Sequence, residues 1–347
     1  MKILALITST NGESGGIAEF NRHFLRALGE EKEVFIVNRS RQAPLSKFIF
    51  ILKTFLAIFN RRSFDFIFCG HLHLAPLAAL LKKLTGIPFW LQLHGIEAWQ
   101  KPSGLIQRAV KEATLVTAVS RYTRRKFLAW ADVDPEKVRV LPNTFDSQFC
   151  PGPKSEPLLK RCRLDGKKIL LTVGRLSASE KYKGHDRMIR LMPDLLRKIP
   201  NLVYWIVGEG DDRARLEALA QQENLKSAVV FAGGIEKSEL VDIYRTADLF
   251  VMPSTGEGFG IAFLEAAACG IPVIAGNQDG SVDALLEGKL GSLVKPDDRE
   301  EIIQAVERNL FLKKTSLDQV QRFSNSNFRD FIKTLTQEEM SLNGKQK

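Results

Sequence analysis

The sequence predicts an α/β protein built from two doubly wound parallel sheets. Three observations carry that expectation. Short apolar runs of strand length alternate, from Ile3 onward, with segments whose apolar residues recur at helical spacing. Several of these runs end in glycines, histidines or cations, at the strand ends where open parallel sheets present their ligand loops. The chain, at 347 residues and 44% hydrophobic, is long for one core and sufficient for two. The clearest linker is Pro151-Gly-Pro-Lys-Ser-Glu-Pro157. It predicts a first domain over 1–150, a second over 151–325, and a terminal helical segment over 326–347.

Composition bounds the partners. A net charge of +10 favours anionic ones: nucleotides, phosphorylated lipids, an anionic membrane surface or nucleic acid. Nucleic acid is not expected, because zinc-finger spacing, an RNA-binding aromatic signature and a dense basic arm are all missing from the sequence. Cys69, Cys150, Cys162 and Cys269 form no Cys-x-x-Cys pair, and Cys69 and Cys269 lie in or beside apolar runs. Buried thiols in a reducing cytoplasm are the expected reading. Ile3–Ile7 is too short for the core of a signal peptide, and no run approaches the roughly 20 apolar residues of a membrane span.

In the first half, strand Ile3–Ile7 leads into Ser14-Gly15-Gly16 and a helix with Ile17, Phe20, Phe24, Leu25 and Leu28 on one face. The small-residue loop is a candidate backbone anion site, though not a G-x-G-x-x-G fingerprint; a plain tight turn reads equally well. After strand Val34–Val37 comes Arg39 to Arg62, with Arg39, Arg41, Lys47, Lys53, Arg61 and Arg62 and no acid. Lys47, Lys53, Thr54, Asn60 and Arg61 fall along one helical stripe, beside a wide face rich in phenylalanine. Such a helix can lie in an anionic lipid interface, or it can simply cover a sheet. Strand Phe64–Cys69 ends at His71 and His73, which read as loop or acceptor-pocket residues. Strand Ile87–Leu93 ends at His94-Gly-Ile-Glu97, a histidine and a carboxylate at a ligand-binding strand end. Strand Leu115–Val119 precedes Ser120, a helix N-cap. Asp132-Val-Asp134 has the Asp-x-Asp form of some metal sites but stands before Pro135, and reads as a turn.

In the second half, strand Ile169–Val173 ends in Gly174-Arg175, and Lys183-Gly184 opens the next helix. Arg175 and Lys183 suit a diphosphate, a fork and a point charge. Strands Leu202–Val207 and Val229–Phe231 end in glycine loops, the second holding Gly234 and Ile235, which can frame a nucleobase. Strand Asp248–Met252 leads into Pro253–Glu265, whose Gly256, Gly258 and Gly260 let a ligand approach the backbone at a helix start. Glu257 and Glu265, eight positions apart, can place a carboxylate at each end of a bound molecule.

These segments together resemble the retaining GT-B glycosyltransferases of family four, of the bacterial cell-surface polysaccharide type. The resemblance rests on Glu257-x7-Glu265 enclosing Gly258-Phe259-Gly260, Gly174-Arg175 with Lys183-Gly184, His94-Gly-Ile-Glu97, Gly15-Gly16-Ile-Ala and Pro142-Asn143-Thr144. It covers nearly the whole chain and is most specific from Gly174 to Pro296. It implies two Rossmann-like domains facing an interdomain cleft, the first binding an acceptor, the second a nucleotide-diphosphate sugar, with the final helix crossing back to the first domain. It implies catalytic roles for His94, Arg175, Lys183 and Glu257. Gly15, Gly16, Gly234, Ile235, Gly258, Phe259, Gly260 and Glu265 would hold the donor. Metal and cofactor are not expected. The expected reaction moves a hexose, with retention, from a UDP- or GDP-sugar to a lipid-linked or saccharide acceptor. The expected place is the cytoplasm, peripheral on the inner face of the cell membrane. The alternatives are a non-catalytic nucleotide-binding membrane scaffold, and a glycosyl phosphorylase or epimerase on the same fold.

Overall fold

The computed structural model describes residues 1–8, 15–29, 33–38, 46–60, 64–311 and 317–344. Contacts divide the chain into two compact units, Met1–Thr144 with Asn325–Lys347, and Phe145–Ser324.

The first unit holds strands β1 (Lys2–Ile7), β2 (Glu33–Asn38), β3 (Phe66–Cys69), β4 (Phe89–Leu93), β5 (Leu115–Ala118) and β6 (Val138–Val140). They form one parallel sheet in the order β2-β1-β3-β4-β5-β6. Helices α1 (Gly16–Leu28), α2 (Ser46–Asn60), α3 (Ala75–Thr85), α4 (Gly104–Lys111) and α5 (Arg121–Leu128) make the crossovers, as parallel pairing requires. Central strands are largely apolar because both faces are covered: β4 is buried at every position, its one polar residue Gln92 paired with Thr117 of β5, whereas the edge strand β2 is largely open. Phe24 of α1 stacks on Phe68 of β3 at 3.8 Å between ring centroids. The terminal helix Asn325–Gly344 packs on α1, with Phe328 edge-on to Phe20 at 5.8 Å.

Helix α2 departs from the expected stripe. Thr54 is not on the polar side: it is fully buried, and its hydroxyl donates to the Phe50 carbonyl at 2.8 Å, a back-bond that lets a threonine face a core. The sheet takes Phe50, Thr54, Ala57 and Ile58. Phe48, Ile49, Ile51, Leu52, Leu56 and Phe59 are exposed, at 65% for Phe48 and 68% for Phe59. Lys47 and Lys53 lie among them, also exposed; Arg39, Arg41, Arg61 and Arg62 fall outside the described residues. The helix therefore covers the sheet with one face and leaves a second apolar face open. Among the described residues no helix is long and apolar enough to cross a membrane.

The second unit holds β7 (Lys168–Val173), β8 (Leu202–Val207), β9 (Val229–Gly233), β10 (Leu249–Met252), β11 (Val273–Gly276) and β12 (Ser292–Val294), all parallel, in the order β12-β11-β10-β7-β8-β9. The helices are α6 (Glu156–Cys162), α7 (His185–Lys198), α8 (Arg213–Gln222), α9 (Leu240–Thr246), α10 (Ile261–Ala268), α11 (Ser281–Ala284), α12 (Arg299–Leu310) and α13 (Leu317–Val320). Leu170, Met188, Leu191, Tyr204, Val251 and Ile274 belong to its core. The proline-rich stretch expected as a linker ends in helix: Pro157 sits in the first turn of α6, where its missing N–H leaves no helical bond unmade.

Candidate functional site

The strand orders decide where side chains can gather. In the second sheet the chain runs β7, β8, β9 to one side, then returns to β10 beside β7 and continues to β11 and β12. The crevice outside β7 and β10 is thus a topological switch point, where loops diverge and a ligand can enter. Two segments flank it: residues 174–184 after β7 and 253–260 after β10.

Four charged side chains meet there. Lys183 Nζ donates to Glu257 Oε1 at 2.7 Å and lies 3.5 Å from Glu180 Oε2, while Arg175 forms an ion pair with Glu180 Oε1. The Lys183, Glu180 and Glu257 side chains are only 11–13% exposed, the Arg175 side chain 53%. Burial pushes the Lys183 pKa down, but Glu257 and Glu180 push it up further, so the net shift is upward and the ammonium stays charged. Lys181, two residues before Lys183, is exposed. Between the two cations Tyr182 turns its ring against Gly256, and its carbonyl accepts from Thr255 N at 3.0 Å. Any Cβ on Gly256 would meet that ring.

The glycine loop is pinned from beneath. Asp279, 1% exposed, accepts from the Glu257 backbone N–H at 2.8 Å, from Ser254 Oγ at 2.7 Å and from the Ser281 N–H at 2.9 Å. Burial raises its pKa against those hydrogen bonds. Gly260 caps α10 at φ 91°, a conformation that favours glycine. On α10, Glu265 is 9% exposed and accepts from the Tyr244 hydroxyl at 2.7 Å. The Phe259 ring is buried against Phe323 at 5.6 Å, so what Phe259 offers a ligand is backbone. After β9, Gly234 N donates to Glu209 Oε1 at 3.1 Å, and Ile235 is half-buried beside it.

The first unit presents a different set. His94, after β4, has Nε2 3.0 Å from the Gly70 carbonyl, and its backbone N–H donates to Glu97 Oε1 at 2.5 Å. Burial lowers its pKa, with Glu97 and the Gly70 carbonyl opposing, so the imidazole is neutral near pH 7. Gly15 precedes α1 at φ 135°, and a Cβ on Gly16 would meet nothing within 4 Å. Ser14 is outside the described residues. His71 Nδ1 accepts from His73 N at 3.2 Å, a local turn. Asp132 and Asp134 sit in a turn: Asp132 pairs with Lys111 at 2.5 Å, which lowers its pKa, and Asp134 caps the next short helix.

Two family matches divide the chain in the same way. Residues 15–149 match Glycosyltransferase Family 4, and residues 160–325 match Glycosyl transferases group 1. The fold is that of Anabaena HepE solved with UDP and glucose, at a TM-score of 0.78 and 20% identity over 97% of this chain and 100% of that one. The chain belongs to the GT-B glycosyltransferases. Sucrose-phosphate synthase from Thermosynechococcus elongatus superposes at a TM-score of 0.80, with 19% identity over 98% of this chain and 99% of that one. Among curated relatives, a GDP-mannose-dependent alpha-(1-6)-phosphatidylinositol monomannoside mannosyltransferase of Mycolicibacterium smegmatis is 34% identical over 58% of this chain and 54% of the relative. The enzyme of the same description from Mycobacterium tuberculosis is 33% identical over 67% of this chain and 63% of its own length. The match spans between half and two thirds of these relatives.

Sequence reasoning overlooked four residues that contact the predicted site residues: Glu180, Tyr182, Asp279 and Tyr244. Glu180 and Tyr182 lie inside the stretch singled out only for its cations, and Asp279-Gly-Ser281 gives in sequence only the loop before the next helix. An acid directly before Gly-Ser, one strand beyond the glycine loop, is the signal available for Asp279; nothing in the sequence pairs Tyr244 with Glu265.

Proposed function

We propose that this glycosyltransferase moves a hexose, with retention and without a metal, from a UDP- or GDP-sugar to a lipid-linked acceptor. The observation that carries the donor half is the meeting of Arg175, Lys183 and Glu257 at the switch point of the second sheet. When the bond between the sugar C1 and the phosphate oxygen breaks, negative charge grows on the diphosphate. Arg175, Lys183 and the N-terminus of α10 are fixed dipoles and charges that stabilise it without magnesium. The acceptor hydroxyl attacks C1 from the side the phosphate leaves, and its proton passes to the departing phosphate oxygen. Glu257 and the backbone at Gly258, Phe259 and Gly260 hold the sugar, and Glu265 accepts from ribose hydroxyls. Gly234 and Ile235 border the base, Gly15 and Gly16 offer backbone to the phosphates, and neutral His94 hydrogen-bonds a sugar hydroxyl. The second unit is thus the donor-binding domain and the first the acceptor-binding one.

The lipid half rests on α2. Its open apolar face, with Lys47 and Lys53, fits a lipid interface with anionic headgroups, and the mycobacterial relatives are described as acting on a phosphatidylinositol mannoside. This favours peripheral binding at the inner face of the membrane.

The deciding experiment incubates the protein with UDP- and GDP-hexoses and a lipid-extract acceptor, in EDTA, and reads the product's anomeric configuration by NMR. Turnover in chelator with the donor's anomer retained is expected. An inverted anomer, or activity lost in EDTA and restored by manganese, overturns the mechanism. Release of free sugar phosphate, or turnover with no acceptor present, favours the phosphorylase or epimerase.

A further inference from the structure

A site meant for a diphosphate should be short of negative charge, and this one is not. Arg175 and Lys183 bring two positive charges, and Glu180 and Glu257 bring two negative ones. The cluster is neutral within a chain of net charge +10. Glu257 lies within the glycine loop, which the donor reading gives to the sugar. Glu180 has no such duty. It sits on the segment Ala178–Lys183, three residues before Lys183, at a position where the short helix breaks (φ −116°, ψ 28°). One carboxylate oxygen takes Arg175; the other is buried, has no hydrogen-bond partner and faces Lys183 Nζ at 3.5 Å.

We propose that Glu180 is a resident counter-carboxylate for Arg175 and Lys183. It holds both heads in place between turnovers, and it competes with the nucleoside diphosphate for them so that the spent nucleotide leaves. Glu180 acts through the two cations and is a positioning residue, not one that touches the reacting atoms. A purely structural acid and a competing one differ in sign. Removing a structural acid loosens nucleotide binding because the cations lose their orientation. Removing a competitor tightens it, because the cluster gains a net positive charge in a partly buried place where charges are weakly screened.

This rests on the donor site described above, and the test separates the two. Binding of UDP and GDP is measured by calorimetry for wild type, Glu180→Gln and Glu180→Ala. Glu307→Gln, which removes an equal charge from the Lys198 pair, is the distant control. Both Glu180 variants should bind one nucleoside diphosphate about threefold to tenfold more tightly, the scale of one partly screened charge pair. Their kcat should fall and inhibition by that product should strengthen, with Glu307→Gln like wild type. If wild type binds neither nucleotide, the donor reading fails and the role of Glu180 with it. If wild type binds and both Glu180 variants bind equally or more weakly, at whatever melting temperature, Glu180 is structural and only this inference falls.

Discussion

Both sheets are six-stranded and parallel, with different strand orders, and their strand ends are furnished in opposite ways. Outside β7 and β10 the second unit gathers four charged side chains, three of them nearly buried. Outside β4 the first unit presents a histidine kept neutral by burial, and outside β1 it presents glycines. Its open surface is instead the apolar face of α2. One type of sheet therefore carries two kinds of strand end: a cluster of fixed charges in one unit, a neutral imidazole and glycines in the other. The lesson is that the parallel winding supplies positions, while the residue types at those positions decide which partner each unit can take.

The strongest way to break this contrast is to remove charge from each side in turn. Lys183→Met should lower kcat about 100- to 1000-fold, the usual loss for one preorganised stabilising group. His94→Ala, which deletes only a neutral hydrogen bond, should cost about tenfold or less. Steady-state kinetics on the two folded variants, checked by circular dichroism, gives the answer; equal losses would erase the distinction. A second break concerns the surface. Replacing Phe48, Leu52, Leu56 and Phe59 by serine touches residues that are already exposed, so the fold should hold. Partition onto phosphatidylcholine vesicles containing phosphatidylglycerol should drop roughly tenfold to a hundredfold, since the apolar face supplies most of the insertion. Co-sedimentation of variant and wild type to the same extent would make α2 an ordinary sheet-covering helix.

A last test leaves activity aside and sharpens the contrast on the charged side through stability. His185, 5% exposed behind Lys183, has its pKa pushed down to about 4, by burial first and by Lys183 next. Unfolded, it takes a proton below about 6.5. The unfolded state therefore binds more protons between those values, and stability falls as pH drops from 6.5 toward 4. Denaturant melts of wild type and His185→Gln should diverge progressively, by up to about 3 kcal/mol at the acid end of that window. Parallel curves would show that His185 does not titrate there, whatever Asp186 and Asp212 contribute to both.

Local signals made much of this protein legible before its structure. Apolar runs, helical spacing and glycine punctuation placed β1, β4, β7, β8 and β10 within a residue or two, because fully buried parallel strands leave an uninterrupted apolar record. Arg175, Lys183 and Glu257 could be singled out because each stands beside a glycine at a strand-to-helix turn, and Glu265 by its spacing of eight from Glu257. The open side of α2 could not be read correctly. Thr54 looks polar in sequence, and only its back-bond to Phe50 shows that it faces the core.

The sequence by itself determined the alternation of elements, the two parallel sheets and the residue types at the strand ends, since these follow from periods and punctuation within a few neighbouring residues. Tertiary structure alone decided the partnerships: Lys183 with Glu257 across 74 residues, Asp279 under the glycine loop, Tyr244 on Glu265, and Glu180 set between two cations. Strand order is the physical reason. It brings β10 beside β7, and that adjacency, fixed by packing over the whole unit, places distant carboxylates and cations within reach of one another.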